Sequence, residues 1–456
     1  MITWKRVGFL ALAVPAVLLL AFGPRNKRDI PAAADGKPVV VVEYWEKWTG
    51  DEGKALQDTV DIFNNTRGRE KGIFVNLLST SGITQKTLVA TAGGVPPDIA
   101  GLWDAYLAQM AALDSLTPLD ELAAKHGITE ATYKKVFWDE CHYDGKLYAL
   151  ISTPYCYAMY YNAQIFRDNA DKLRAAGLNP ETGPKTIDEL DRYAKALDVI
   201  EDGRIKRLGY LPLEPGWDIG FLPYAFGGFW WDKTGQKYTF TDPAVVKAYS
   251  WMRSYSERLG KGAVTDFRQG MGNYDSPQNP FLAGTQAIVS QGTFFANIIR
   301  HQKPSLVGNW VAMPFPGVTE NERGSTNCTA DILAIPKGAK HPNEAFEFIA
   351  WLHEQKNMEK LCMDHCKLSP LAKVSENYLK HNTNPYIQVF EDLANGKNAV
   401  QTPSIETLPD AATDMGVFVA DVGTLRATAQ DGLKELQTRM SKKQQQFVEK
   451  QRLWKK

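Results

Sequence analysis

One apolar run constrains this chain more than any other feature. Residues 148–166 read as two strand-like stretches broken at Thr153-Pro154, with a helix opening near Asn162. Proline has no N–H for a ladder, so one central strand is not expected to continue through Pro154. The residue before it is pushed to extended geometry, so the chain stays extended while it passes from one sheet to another. Tyr155 and Tyr157 alternate there with Cys156 and Ala158. Two sheets joined by an extended crossover, with aromatic residues at the joint, describe a cleft between two lobes. Domain interfaces of this kind are preferred places for small-molecule sites.

The chain order supports that reading. Residues 39–42 form a buried-strand run, and residues 43–48, with Trp45 and Trp48, follow as a loop. Thr49-Gly50-Asp51-Glu52 has the pattern of a capping box, and Leu56, Val60 and Phe63 keep helical spacing beyond it. A second strand at 73–78 ends in Ser79-Thr80-Ser81-Gly82, and a helix over 84–92 leads to a third strand ending at Trp103-Asp104. Strands alternating with helices give an α/β sheet, and ligands bind outside the carboxyl ends of such strands. Trp45, Trp48, Thr80, Ser81, Trp103 and Asp104 all fall at those ends.

Beyond the crossover, helices are expected at 162–176 and 186–200, then the turn-prone Glu214-Pro-Gly-Trp217. Gly292, Thr293 and Phe294 follow another strand. Residues 310–317, broken by Pro314 and Pro316, form the natural second crossover, and residues 331–336 form a strand. The C-terminal part reads as helices, polar and frayed after Ser441.

At 456 residues, with 44% hydrophobic and 23% charged, the chain is globular and large enough for two domains. Basic and acidic residues number 52 each, which gives no electrostatic footprint for nucleic acid. Lys5 and Arg6 precede an uncharged run over 7–22, about 24 Å long as a helix and short of the ~30 Å hydrocarbon core. Residues 1–34 are therefore expected to be a signal peptide, with Ala32-Ala33-Ala34 as its cleavage region, or an uncleaved membrane anchor. Either way the body is exported. Five cysteines (141, 156, 328, 362 and 366) suit an oxidising compartment, and the odd number leaves at least one unpaired unless a partner chain intervenes. Cys362 and Cys366 would share a helix face, but with His365 pointing elsewhere they make a poor metal site. No metal or cofactor is expected.

Gly93-Gly-Val-Pro-Pro-Asp-Ile99, Tyr160-Tyr161-Asn162, Gly284-Thr-Gln-Ala287, Leu333-Ala-Ile335 and Glu344-Ala-Phe-Glu-Phe-Ile-Ala-Trp-Leu352 occur in this order. Together they resemble the family 1 extracellular solute-binding proteins of ABC importers, with a pattern similar to the maltodextrin binders. The resemblance covers most of residues 39–440. It implies a two-lobed α/β fold of the periplasmic-binding-protein type II class, a hinge crossed several times and a helical C-terminus. It further implies one lobe from 35–153 plus 317–358, a second from 154–316 plus 359–440, and a polar tail at 441–456. The implied function is to bind a sugar in the cleft as a monomer and deliver it to membrane permease subunits.

Sugar rings pack their C–H faces on aromatic planes, and their hydroxyl rims are met by carboxylates and amides. The site expected from these residues comprises Trp45, Trp48, Thr80, Ser81, Trp103, Asp104, Tyr155, Tyr157, Glu214, Trp217, Gly292, Thr293 and Phe294. No arginine stands among them, so the expected ligand is a neutral sugar or oligosaccharide. For Asp104 and Glu214 the ordinary alternatives are a helix cap and a solvated loop end. A secreted carbohydrate-active enzyme using those two carboxylates is the rival reading. A third keeps the binding fold as a receptor's sensor. No Gly-x-Ser-x-Gly, His-Glu-x-x-His or phosphate-loop motif supports catalysis, so no enzyme is expected.

Overall fold

The computed structural model describes residues 30, 32–214, 219–272 and 274–454. The apolar run at 7–22 and Trp217 lie outside the described residues. Eight strands form one mixed sheet: β1 (Val40–Glu46), β2 (Ile73–Ser79), β3 (Ile99–Trp103), β4 (Ala149–Asn162), β5 (Ile288–Gly292), β6 (Trp310–Met313), β7 (Thr326–Ala334) and β8 (Ala399–Gln401). The order is β5-β4-β7-β3-β1-β2, with β6 also on β4 and β8 also on β7. β1 runs parallel to both β2 and β3, which brings the carboxyl ends of all three together.

β4 corrects the expectation of a broken strand. It continues through Pro154 and faces Ala330 of β7 there. Leu368 N donates to the Pro154 carbonyl at 3.0 Å, so that carbonyl points away from β7. In an antiparallel pair a residue's nitrogen and carbonyl point to the same side. The nitrogen that lacks a proton therefore faces away from β7, and no bond to that strand is lost.

The second crossover also differs from expectation. Residues 310–313 stay with β4 as β6, Met313 opposite Met159, and the prolines at 314 and 316 end that strand. The segment running alongside the joint is instead β7, which opposes β4 from Ala149 to Cys156 and begins at Thr326 rather than at 331. Beyond the joint, β4 alternates between two cores. Ala158 and Tyr160 enter the cluster that holds β1, β3 and β7, whereas Met159 and Tyr161 enter the other. Leu361, Leu368, Tyr378 and Phe390 pack in the first cluster; Leu408, Phe418, Leu433 and Met440 pack in the second.

β1 extends through Glu46, so residues 43–46 are strand rather than loop. The helix that follows, Gly50–Asn65, has Thr49 as its N-cap residue, but the Thr49 side chain makes no capping bond. The residues after Ser441, expected to fray, continue the helix Ala429–Trp454. Its Gln451 donates to the Tyr143 hydroxyl at 3.3 Å. All five thiols are buried and unpaired. No helix among the described residues is long and apolar enough to cross a membrane.

Candidate functional site

Where β1, β2 and β3 end, a cavity of about 590 Å³ opens beside the β4–β7 joint. Five of the expected residues line it: Trp48, Ser81, Trp103, Tyr155 and Phe294. They come from both sides of the joint. Trp48 and Trp103 close β1 and β3, Tyr155 stands just past Pro154, and Phe294 follows β5. The Tyr155 ring meets Phe294 edge-on, with centroids 5.4 Å apart. Gly292 makes that arrangement possible, because a Cβ there would lie 2.3 Å from the Phe294 ring.

The floor of the cavity is ionic, and sequence reasoning missed it. Asp331 of β7 takes Lys47 Nζ on Oδ1 at 2.9 Å and Lys367 Nζ on Oδ2 at 2.8 Å. Thr153 Oγ1 donates to the same carboxylate at 3.1 Å. Lys47 also reaches Glu46 at 3.1 Å, and Lys367 reaches Glu52 at 3.3 Å. Glu46 is fully buried and accepts from the Tyr44 hydroxyl at 2.7 Å. It lies flat against β3, where a Cβ on Gly101 would stand 1.8 Å from its carboxylate.

Burial alone would raise the Asp331 carboxyl, but Lys367 and Lys47 outweigh it and hold it well below the usual range. Burial likewise opposes the charge on each lysine; Asp331 with Glu46, and Asp331 with Glu52, keep both protonated. Lys47 lies 5.0 Å from the Trp48 ring centre and 5.3 Å from that of Trp103. Lys367 lies 5.1 Å from Trp48 and 5.8 Å from Tyr155. His365, whose ring is 4.4 Å from Trp48, is pushed down to about 3 by burial and then by Lys367, so it is neutral.

Other expected residues lie elsewhere. Trp45 lines a different groove with Val41, Glu43 and Leu78, because period-two alternation along β1 turns it to the opposite face from Tyr44 and Glu46. Thr80 pairs with Lys86 on the surface. Asp104 is buried, accepting from Thr329 Oγ1 at 2.6 Å, Ala330 N at 3.2 Å and Ala105 N at 2.7 Å. It ties the end of β3 to β7 and does not line the cavity. Tyr157 is buried and stacks on Phe221 at 5.8 Å. Glu214 accepts from Arg268 Nε at 2.6 Å and lines a separate cavity of about 360 Å³. Thr293 is buried beneath the surface, its carbonyl taking the Asn384 amide at 3.1 Å.

The missed residues left faint signals. Lys47 sits in sequence between Trp45 and Trp48 at the end of β1, and Asp331 stands directly before the apolar run 332–336. Lys367 gave none, since it arrives from the turn after the helix Gln355–Asp364.

The family model for bacterial extracellular solute-binding proteins matches residues 48–359. The sn-glycerol-3-phosphate-binding periplasmic protein UgpB of Pectobacterium atrosepticum is 25% identical over 305 residues, 64% of this chain. Those residues span 62% of that relative's length. Among solved structures, CpMnBP1 with mannotriose bound superposes with a TM-score of 0.74 at 25% identity, covering 88% of this chain and 99% of the other. UgpB of Mycobacterium tuberculosis in complex with glycerophosphocholine shares the fold, with a TM-score of 0.70 at 21% identity over 90% of this chain and 99% of the other.

Proposed function

The chain belongs to the bacterial extracellular solute-binding proteins, and from that premise we propose that it is the extracytoplasmic substrate-binding component of an ABC importer. Its ligand is a neutral oligosaccharide held in the cavity at the β4–β7 joint. The observation that carries this reading is the set of rings from both sides of the joint, Trp48, Trp103, Tyr155 and Phe294, around a floor whose charges are already paired. The rings offer planes for C–H faces, and the Lys47–Asp331–Lys367 array offers donors and acceptors for hydroxyls. Because Asp331, Glu46 and Glu52 already satisfy the two lysines, an added anion would have to displace a buried carboxylate.

Binding and release without bond chemistry fits the engaged state of Asp104 and Glu214, which do not line a common cavity. The two lobes meet at the joint, with residues 1–34 as the export signal or anchor, and the loaded protein docks on membrane permease subunits as a monomer.

Lys47 and Lys367 favour one second reading, a phosphate-bearing polyol, in keeping with the ligand named for the UgpB relative. Calorimetric titration of the full protein with mannotriose and, separately, with sn-glycerol 3-phosphate decides between them. Heat from mannotriose alone, with a smaller radius of gyration at saturation, is the expected result. Binding of the phosphate alone would replace the neutral reading with the second.

A further inference from the structure

Cys156 and Cys328 stand directly opposite each other where β4 pairs with β7. Their backbone bonds fix the kind of pair they form. Residues 153–156 run opposite 331–328 without a shift in register, and the Pro154 carbonyl turns away from β7 to Leu368 N. Sides alternate along a strand, so Cys156, two residues on, also turns its N–H and carbonyl away from β7. The partner agrees, because the Cys328 carbonyl accepts from Thr402 N at 3.1 Å and Thr402 Oγ1 at 3.2 Å, beyond β8. The two cysteines are therefore a non-hydrogen-bonded pair, the closer of the two antiparallel kinds, with Cα atoms about 4.5 Å apart. That spacing lies within the ~4.4–6.8 Å that a disulfide spans.

The side chains meet as well. Directly opposite residues share a face of the sheet, and both thiols are fully buried on it. Cys156 Sγ lies 3.6 Å from the Phe390 carbonyl of the helix Ile387–Ala394, which covers that face. Contact with the Cys156 thiol, and then burial, pushes the Cys328 thiol well above its ordinary value. The other three cysteines meet other groups: Cys141 the Phe137 carbonyl at 3.3 Å, Cys362 the Met358 sulfur at 3.6 Å and Cys366 the Thr383 hydroxyl at 3.3 Å. Tyr155, one residue before Cys156, lines the ligand cavity, so alternation sets the cysteine pair on the opposite face from it.

We propose that Cys156 and Cys328 are a site of disulfide formation, a cross-strand bond that fastens β4 to β7 behind the cavity. The oxidant is a protein disulfide carrier of the export compartment. The thiolate of one cysteine attacks a carrier sulfur, the other carrier sulfur leaves as a thiolate, and a mixed disulfide forms. The second cysteine then attacks its partner's sulfur, releasing the carrier as a dithiol. Two electrons and the two thiol protons pass to the carrier. The folded chain keeps both thiols buried and protonated, so the exchange precedes closure of the core, and the finished bond is shielded from reduction. The chain between the two cysteines carries the second core from Met159 to Phe315, so the bond closes a long loop around that half.

The test needs no ligand, so it stands apart from the sugar reading. The full protein is reduced in denaturant, refolded in a buffer of reduced and oxidised glutathione, then unfolded in N-ethylmaleimide without reductant, digested and mapped by mass. Cys141, Cys362 and Cys366 should carry the maleimide, and the peptides holding Cys156 and Cys328 should be joined. Protein refolded this way should melt roughly 5 °C or more above protein refolded with reductant throughout. Cys156→Ala, and independently Cys328→Ala, should abolish that gap. Maleimide on all five cysteines, a bond joining any other pair, or a gap that both variants keep would overturn the proposal; the wild-type map decides even where a variant fails to fold.

Discussion

Lys47 and Lys367 hold opposite oxygens of one carboxylate, Asp331, at 2.9 and 2.8 Å, though one lysine closes the first strand and the other follows the helix Gln355–Asp364. Removing the shared partner strands two nearly buried cations at once. Asp331→Asn should cost about 3–5 kcal/mol in urea unfolding. Adding Lys367→Met to that variant should restore part of the loss, the sign of coupling within one network.

Trp103 is 42% exposed at the cavity mouth, which suits a ring kept for a ligand rather than for the core. Trp103→Ala should change unliganded stability by no more than about 1 kcal/mol. Oligosaccharide affinity should fall by about 1–3 kcal/mol, a ten- to hundredfold weakening by calorimetry. Intact affinity would remove Trp103 from the site.

A methyl group on Gly101 would collide with the Glu46 carboxylate. Gly101→Ala should therefore cost about 1–3 kcal/mol of stability. It should also weaken ligand binding, because displaced Glu46 no longer orients Lys47. A lower melting temperature with unchanged affinity would separate the strand contact from the site.

His365 titrates near 3 in the folded chain, lowered by burial and Lys367, against ~6.5 when unfolded. Between those values the unfolded chain binds the extra proton, so stability falls as pH falls from about 6.5 toward 3. The difference in unfolding free energy between wild type and His365→Phe should change by about 1.4 kcal/mol per pH unit in the middle of that window. A difference independent of pH would show that His365 does not stay neutral.

Much of the fold was legible because local rules and tertiary structure agree. The apolar spacing of Leu56, Val60 and Phe63 predicted a helix, and all three are buried in one. Trp48 and Trp103 were singled out at strand ends and Tyr155 at the proline joint, and all three line one cavity. Trp45 was misplaced because β1 was ended at residue 42, four residues early, so the period-two alternation that turns Trp45 away from Tyr44 and Glu46 was not applied to it. Asp104 looked like a ligand group but serves β7, a partner no nearby residue announces. The ionic floor joins residues from four separate parts of the chain, which spacing alone cannot bring together. Pro154 misled for a geometric reason: whether a proline breaks a strand depends on which side its nitrogen faces, and only the neighbouring strands decide that.

The alternation of β4 between two cores has a consequence for chain length. Deleting one residue just after Pro154 would put Met159 where Ala158 packs in one core and Tyr160 where Met159 packs in the other, and adding one would put Ala158 where Met159 packs, so either change misfills both interiors together. Two residues would restore the facing but slide β5 and β6 along the strand by roughly 6.6 Å, carrying Phe294 away from Tyr155. This stretch works as a ruler shared by both halves of the molecule: its residues can be exchanged singly, but its count cannot.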